Sequence, residues 1–448
     1  MTRFGTAGIR GPAEETVTPE LALAVGQAAG APGETVVLGR DGRETGPALA
    51  AAMEAGLESA GSDVRRLGTL PTPALAFASR GRRGVMLTAS HNPPADNGIK
   101  LFEDGAEYDR AAEERIESRL ESGPGTATWD EWGRGERVEI LPDYRRGVAD
   151  YVHDRFGEDP LEGLSIAVDC GNGVGALATP QVLDRLGAEV TALNATVDGS
   201  FPARDSKPTR EALSDFRGFL ADGDRDLGLA HDGDADRLVV CDPDGEVVAE
   251  DTVLAVLAHH YVRRSAAADP VVVTTPNTSK RIDERVAEAG GRVERVRLGA
   301  LHEGIAESEA TPVFAGEPWK HVHLPFGGWI DAVVGAGVVS ALAADAGGVD
   351  ALRAPVTERP IRKESVRCPD PAKGPVMARL AEDLPDAFPG ATVETGYGIR
   401  LEFPDNAWLL VRTSGTEPVV RLYAESESIE ELLADAREVV ERVVEDAG

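Results

Sequence analysis

The chain has 448 residues, 42% of them hydrophobic, and 77 acidic against 46 basic side chains leave a formal charge of −31. At roughly 150 residues per domain, this length predicts about three domains, and the apolar content is that of a folded chain rather than a disordered one. A field of this sign repels nucleic acid and anionic membranes, so neither is expected as a partner.

The acids are dispersed rather than gathered in a tail, and only six of the basic residues are lysines. Dispersed acidity with little lysine is the surface expected of a halophilic protein, whose self-repulsion is screened by salt. The longest apolar stretch, Val333 to Ala344, is interrupted by Ser340 and falls short of the ~20 residues that a membrane span needs. The first residues, MTRFGTAGIRG, contain no apolar leader, and a cytoplasmic location is expected. Cys170, Cys241 and Cys368 lie far apart without a CxxC pair, so they are read as small buried hydrophobes rather than a disulfide framework.

Along the chain, apolar runs bounded by glycine recur, each followed by a helical pattern: Thr35 to Gly42, Gly84 to Asn92, Leu164 to Gly173, Leu227 to Asp242, Val271 to Ser279 and Pro312 to Lys320. Strand–helix alternation of this kind predicts parallel or mixed sheets, with ligands at the C-terminal ends of strands. The last part differs, with two strands around a turn from Trp408 to Ser426 and an amphipathic helix from about Ile429 to Glu445. Pro- and Gly-rich joints near Pro142, Asp251 and Arg367 divide the chain into 1–145, 146–251, 252–366 and 367–448.

Five strand ends and loops carry chemistry. Gly5 to Gly11 presents Arg10 between glycines. In TASHNPP, Thr88 to Pro94, two prolines prevent the turn from relaxing into helix, which is expected to expose the Ser90 hydroxyl beside His91. Lys100 follows ten residues later in DNGIK, within reach of a reacting hydroxyl or phosphate. In DGDADR, Asp232, Asp234 and Asp236 can converge on one hard cation, Mg²⁺ or Ca²⁺ rather than Zn²⁺, while Arg237 is a phosphate partner. The loop lacks the Gly and Glu of an EF-hand. GEPWK brings Glu317, Trp319 and Lys320 to a strand end, a carboxylate beside an aromatic face as sugar recognition needs. RTSGTEP offers Arg412 and a Ser414–Gly415–Thr416 nest suited to a phosphate.

Taken in order, GTAGIRG, GRDGR, TASHNPP with DNGIK, DGDADR, GEPWK and RTSGTEP resemble the α-D-phosphohexomutase family, which includes phosphoglucomutases, phosphomannomutases and phosphoglucosamine mutases. The resemblance implies an α/β protein of four domains around a central cleft: three related α/β domains with mixed sheets and a smaller C-terminal α+β domain. It implies an intramolecular phosphotransferase that interconverts sugar 1-phosphate and sugar 6-phosphate through a phosphoserine and a bisphosphorylated sugar, which also serves as activator.

By the same resemblance Ser90 is the phosphorylated serine. Asp232, Asp234 and Asp236, with a phosphoserine oxygen, hold one Mg²⁺ per chain. Lys100, Arg10 and His91 belong to the transfer centre and Arg237 neighbours the metal loop. Glu317 faces the sugar, and Arg412, Ser414, Gly415 and Thr416 bind the phosphate that is not reacting. A monomer or homodimer is implied, with a small sugar phosphate as partner.

The pattern breaks in the sugar loop, where the family's Gly-Glu-x-Ser-Gly-His becomes GEPWKH. Trp319 stands where serine is usual, followed by Lys320 and His321, and HLPFGGWIDA replaces a region that often holds Arg-Asp-Gly. The expectation is that Trp319 offers an apolar face to the ring, with Lys320 or His321 supplying the lost polar contact, and that more than one sugar is accepted. A phosphomannomutase or phosphoglucomutase type is expected first and a phosphoglucosamine mutase second. A metal-dependent phosphatase and a silent phosphosugar-binding protein are the rivals from other classes.

Overall fold

A computed structural model describes residues 4–5, 8–415 and 417–447. Four sheets follow one another along the chain. The first holds seven strands in the order Ile9–Pro12, Asp96–Glu103, Arg83–Leu87, Thr35–Arg40, Asp63–Thr69 and Gly135–Arg137, with Ala106–Glu107 paired to Asp96–Glu103. The second runs Leu238–Cys241, Leu227–His231, Ser165–Asp169, Glu189–Leu193, and the third Lys320–Val322, Thr311–Glu317, Pro270–Thr274, Arg292–Arg295.

These three sheets share a plan. In each, three parallel strands are followed by an antiparallel strand that hairpins off the third. Leu227–His231 and Pro270–Thr274 are buried at every position, as strands covered by helices on both faces must be. The DNGIK segment opens the antiparallel strand Asp96–Glu103, seated between Ile9–Pro12 and Arg83–Leu87. Gly98 has no room for a side chain there: a Cβ would lie 2.4 Å from the Thr88 carbonyl oxygen.

The fourth sheet is antiparallel throughout, with Ile361–Arg367, Val419–Glu425, Trp408–Thr413, Ile399–Glu402 and Thr392–Glu394 in that order. Helices Lys373–Ala387 and Ile429–Ala447 pack on it.

The apolar stretch from Val333 forms the core helix Ala332–Ala346, capped by Asp331, which accepts from the Val333 and Val334 amides at 3.1 and 2.9 Å. Gly347 ends it in the left-handed region at φ 85°. Among the described residues, no helix is long and apolar enough to cross a membrane. The three cysteines are free and buried.

One apolar cluster runs continuously through the first three units, from Val37 and Met86 through Val168 and Leu229 to Phe314 and Val338. The fourth unit has a core of its own around Leu380, Leu409 and Val440. A polar joint fastens it to the third. The buried Glu425 carboxylate accepts from Ser279 Oγ at 2.7 Å, the Lys280 amide at 3.0 Å and Trp408 Nε1 at 2.6 Å, and pairs with Arg281 at 3.4 Å. Arg281 donates in turn to Thr252 Oγ1 and the Arg359 carbonyl. Removing one partner of such a buried pair strands the other charge. Glu425→Ala is expected to cost about 3–5 kcal/mol, seen as an earlier unfolding midpoint in guanidinium chloride; an unchanged midpoint would show that the joint bears no stability.

Candidate active site

The turn between the third and fourth strands is the equivalent position in each of the first three units, and each of those turns carries one of the sequence motifs. Ser90 lies between Arg83–Leu87 and Asp96–Glu103, the three aspartates between Leu227–His231 and Leu238–Cys241, and Trp319 between Thr311–Glu317 and Lys320–Val322. Each turn contains a non-glycine residue at positive φ: Ser90 at 51°, Ala235 at 58° and Trp319 at 69°. Such a conformation costs about 1 kcal/mol or more, and concentrates where the surroundings force a backbone into a working geometry.

The serine turn is held from beneath by Asp41 and Arg43 of GRDGR. Both are fully buried. Thr88 Oγ1 donates to Asp41 Oδ2 at 2.7 Å and accepts from the Ser90 amide at 2.9 Å. Arg43, paired with Asp41 at 3.1 Å, donates to the carbonyls of Ser90, Asn92 and Asp96 at 2.9, 2.8 and 2.9 Å, and also to that of Pro93. One guanidinium thus ties four backbone carbonyls of the turn, which only a planar fork of donors can do.

Ser90 is not exposed as the turn alone suggested; its relative accessibility is 0%. The loop that covers it comes from the second unit, where Gly233 passes so close that a Cβ would stand 2.7 Å from the Ser90 carbonyl oxygen. Ser90 Oγ donates to Asp232 Oδ2 at 2.8 Å and lies 3.3 Å from His91 Nδ1.

Asp232, Asp234 and Asp236 are buried and can each offer one oxygen within 4.8 Å of the others. Asp234 Oδ1 and Asp236 Oδ1 have no hydrogen-bond partner among the described residues. Buried, unpaired carboxylate oxygens that converge are the donor set of a hard divalent cation. Thr72 supports the loop from the first unit, its hydroxyl donating to Asp234 Oδ2 at 2.6 Å and its amide to the Asp234 carbonyl at 3.0 Å.

Cations close the other side. Lys100 Nζ lies 3.2 Å from Asp236, 3.8 Å from Asp234 and 3.3 Å from Glu107. Lys320 Nζ lies 3.5 Å from Asp236 and 3.9 Å from Glu317, and Arg237 Nε is 3.7 Å from Asp232. Burial acts to lower the Lys100 pKa, but Glu107, Asp236 and Asp234 outweigh it and hold the ammonium above its usual range. Burial opposes ionisation of Asp236 too, and Lys320, Lys100, Arg237 and Arg10 overcome it, so its carboxyl sits well below the usual range. Asp232 is pushed upward by burial and by repulsion from Asp236 and Asp234. His91 is driven down to about 2, first by burial and then by Arg237 and Arg10. These effects favour the neutral ring.

A cavity of about 570 Å³ opens over this centre, lined by Arg10, His91, Glu107, Arg237, His302, Glu317 and Lys320 among others. Trp319 is not among its lining residues. Its ring packs with the apolar cluster of Phe216, Leu220 and Val239 in the second unit, with Arg237 Cζ 5.6 Å from its centroid. His321 is fully buried against Phe314 and His323.

Arg412, Ser414 and Gly415 lie in the fourth unit, outside that cavity lining. Lys373 braces their loop by donating to the Ser414 and Glu417 carbonyls at 2.6 and 2.7 Å. Thr416 lies outside the described residues.

Sequence reasoning passed over Arg43, Thr72, Glu107 and His302. Arg43 had a signal in the Gly-flanked GRDGR; Thr72 reaches the site through a contact 162 positions away, and Glu107 and His302 sit in segments without a motif.

Arg43→Lys keeps the charge and loses the fork. It is expected to lower kcat about a hundredfold, the size of effect that a misplaced reacting group produces, with circular dichroism showing the fold intact. A kcat within a factor of about two would mean that the serine turn holds its own shape.

The family described as phosphoglucomutase/phosphomannomutase matches in three parts: alpha/beta/alpha domain I over residues 1–125, domain II over 144–245 and the C-terminal domain over 365–442. A phosphopentomutase of Thermococcus kodakarensis is 41% identical, over 100% of this chain and 99% of its own length. A probable phosphoglucosamine mutase of Methanopyrus kandleri is 40% identical over 99% and 98%. The solved phosphoglucomutase/phosphomannomutase family protein of Burkholderia thailandensis superposes with a TM-score of 0.85 at 26% identity, over 100% and 97%. With the sequence similarity running the full length of the chain and the fold reproduced, the chain belongs to the α-D-phosphohexomutase family, isomerases that act by intramolecular phosphate transfer.

Proposed function

We propose that Ser90 carries the phosphoryl group and that the sugar it serves is neutral. The carrying observation is the placement of the Ser90 hydroxyl, 2.8 Å from one of three converging carboxylates and next to a cavity walled by Arg10, Arg237 and Lys320. Phosphoryl transfer asks for positioning and charge neutralisation, and that arrangement supplies both. The all-oxygen donor set of Asp232, Asp234 and Asp236 fits Mg²⁺. Bound there, the ion would neutralise charge on the transferring phosphoryl group.

The chain's own residues do the rest. A sugar hydroxyl attacks phosphorus as the bond to Ser90 Oγ breaks. The His91 ring, 3.3 Å from Ser90 Oγ, is a hydrogen-bond partner for that oxygen, on which the proton of the sugar hydroxyl ends as the bond to phosphorus breaks. Lys100, held protonated, is a donor to the developing oxyanion. Arg10 and Arg237 orient the phosphate, while Arg412, Ser414 and Gly415, with Thr416 next in the chain, hold the phosphate that is not reacting. The resulting bisphosphate turns over and rephosphorylates Ser90; the same compound added free would restore any enzyme that had lost its phosphate.

Sugar choice rests on Lys320. Its ammonium is paired to Glu317 at 3.9 Å and projects into the cavity wall, so the carboxylate facing the sugar is partly neutralised. A cation there repels an amino sugar, which favours glucose or mannose phosphates. Trp319, packed away from the cavity, is a contact between the second and third units. A glucosamine phosphate remains the second reading, supported by the 40% identity to a probable phosphoglucosamine mutase, and a pentose phosphate is favoured by the 41% identity to a phosphopentomutase.

Ser90→Ala is expected to abolish mutase activity while costing about 1–2 kcal/mol, the penalty of leaving Asp232 Oδ2 without the Ser90 hydroxyl. Intact-mass spectrometry should find one added phosphate on part of the wild type and none on the variant. A variant that still turned over would remove Ser90 as carrier.

Across glucose, mannose, glucosamine and ribose 1-phosphates, kcat/KM should favour a neutral sugar over glucosamine by about tenfold, the equivalent of ~1.4 kcal/mol. Lys320→Gly should erase that difference. A wild type that prefers glucosamine phosphate would overturn the reading, and the ribose arm decides between hexose and pentose.

A further inference from the structure

The six lysines are an informative set because the chain spends so few. Lys100 and Lys320 are committed to the aspartate centre. Lys280 pairs with Glu402 at 2.7 Å, and Lys373 braces the Arg412 loop. Lys207 and Lys363 are different. The structure gives neither ammonium a hydrogen bond or an ion pair among the described residues, in a chain carrying 77 acidic side chains.

Their surroundings are a matched pair. Lys207 Nζ lies 5.9 Å from the Trp319 ring centroid, and Arg237 Cζ lies 5.6 Å from the same ring. Lys363 Nζ lies 5.6 Å from the Tyr423 ring centroid, and Arg412 Cζ lies 5.7 Å from that ring. Each motif arginine therefore shares an aromatic ring with a lysine that belongs to no motif. The two groups also feel one another: partial burial and the charges of Arg237 and Lys363 lower the Lys207 pKa. The acid nearest in effect, Glu417, is taken by Arg421 at 2.7 Å. Unpaired cations gathered from the second and fourth units repel each other, and a ligand with more than one phosphate relieves that repulsion.

This step rests on the proposed carrier mechanism, which has an exacting moment. A sugar bisphosphate must leave its first pose and reverse before the second transfer. If it escapes, the enzyme is left without its phosphate. Arginine forks fix a phosphate in one register, whereas a lysine ammonium is a point charge on a flexible stem and can hold an anion without fixing its orientation. We infer that Lys207 of the second unit and Lys363 of the fourth, each beside a motif arginine, retain the sugar bisphosphate while it reverses between the two transfers.

The test is single-turnover partitioning. Enzyme carrying radiolabelled phosphate on Ser90 is mixed with unlabelled glucose, mannose or glucosamine 6-phosphate, or ribose 5-phosphate, and label is followed into free bisphosphate and into monophosphate. Both lysines are exposed, so the Lys207→Gln/Lys363→Gln double variant should fold normally. It is expected to release about tenfold more label as free bisphosphate, as ~1.4 kcal/mol of lost attraction implies. The rate of the first transfer should change by less than about twofold. The Lys207→Arg/Lys363→Arg variant should restore the charge and much of the retention. Unchanged release in the double variant, or a slowed first transfer without added release, would overturn the inference alone. A wild type that passes label to none of the glucose, mannose, glucosamine and ribose phosphates would overturn the carrier mechanism and the inference with it.

Discussion

Three carboxylates within 4.8 Å of one another, all out of water, cannot stay charged unless positive charge surrounds them. That constraint organises the molecule. The cations that answer it arrive from different parts of the chain: Lys100 from the first unit, Lys320 from the third, and Arg237 from the aspartate loop itself. Thr72, again from the first unit, supplies hydrogen bonds to the loop. The aspartate turn is thus the place where three units are sewn together, and the single apolar cluster running through them fixes those groups to within hydrogen-bonding distances. A site so dependent on convergence needs a rigid frame, and the fourth unit, whose core is separate, meets that frame through the Glu425 joint instead.

The frame is one plan used three times. Where the third parallel strand turns back into its antiparallel partner, the first unit places the Ser90 hydroxyl, the second the three converging aspartates, and the third a carboxylate and an ammonium. In all three turns a non-glycine residue is held at positive φ. The third turn has Pro318 followed by Trp319 at φ 69°, which matches a type II turn with proline at its second position and a residue at the third where glycine is the usual choice. A tryptophan tolerates that backbone because its ring gains the apolar cluster of Phe216 and Leu220. The expectation from sequence used the type of side chain, whereas the direction of the ring depends on a turn conformation and on a neighbouring unit.

The same distinction explains how much of the rest was legible. Strand runs were readable because a parallel strand covered on both faces must be apolar along its length, and glycine marks its end. Motif positions followed, since such ends are where ligands bind. Burial of Ser90 was not readable, because the cover comes from a loop whose Asp232 lies 142 positions away. Glu107, which pairs with Lys100, and His302, which shares the cavity wall, sit in segments with no local pattern at all. GRDGR was visible as a motif, yet its work is done by a guanidinium reaching carbonyls about 50 residues further on.

The charge balance raises a last physical question: how a chain of −31 binds an anion that must also be kept through a reversal. At 1 M salt the screening length is about 3 Å, so the diffuse negative field no longer repels the substrate from a distance. The same screening would disable any exposed lysine that acted at long range. Contacts such as Lys100 to Asp236 at 3.2 Å survive because the pair is buried, beyond the reach of mobile ions. Lys207 and Lys363 have no such shelter and can act on a phosphate only by touching it, which their long stems allow. Retention by contact fits cations that keep no partner of their own, since an ammonium already paired to a carboxylate would have to break that pair each time the intermediate turned.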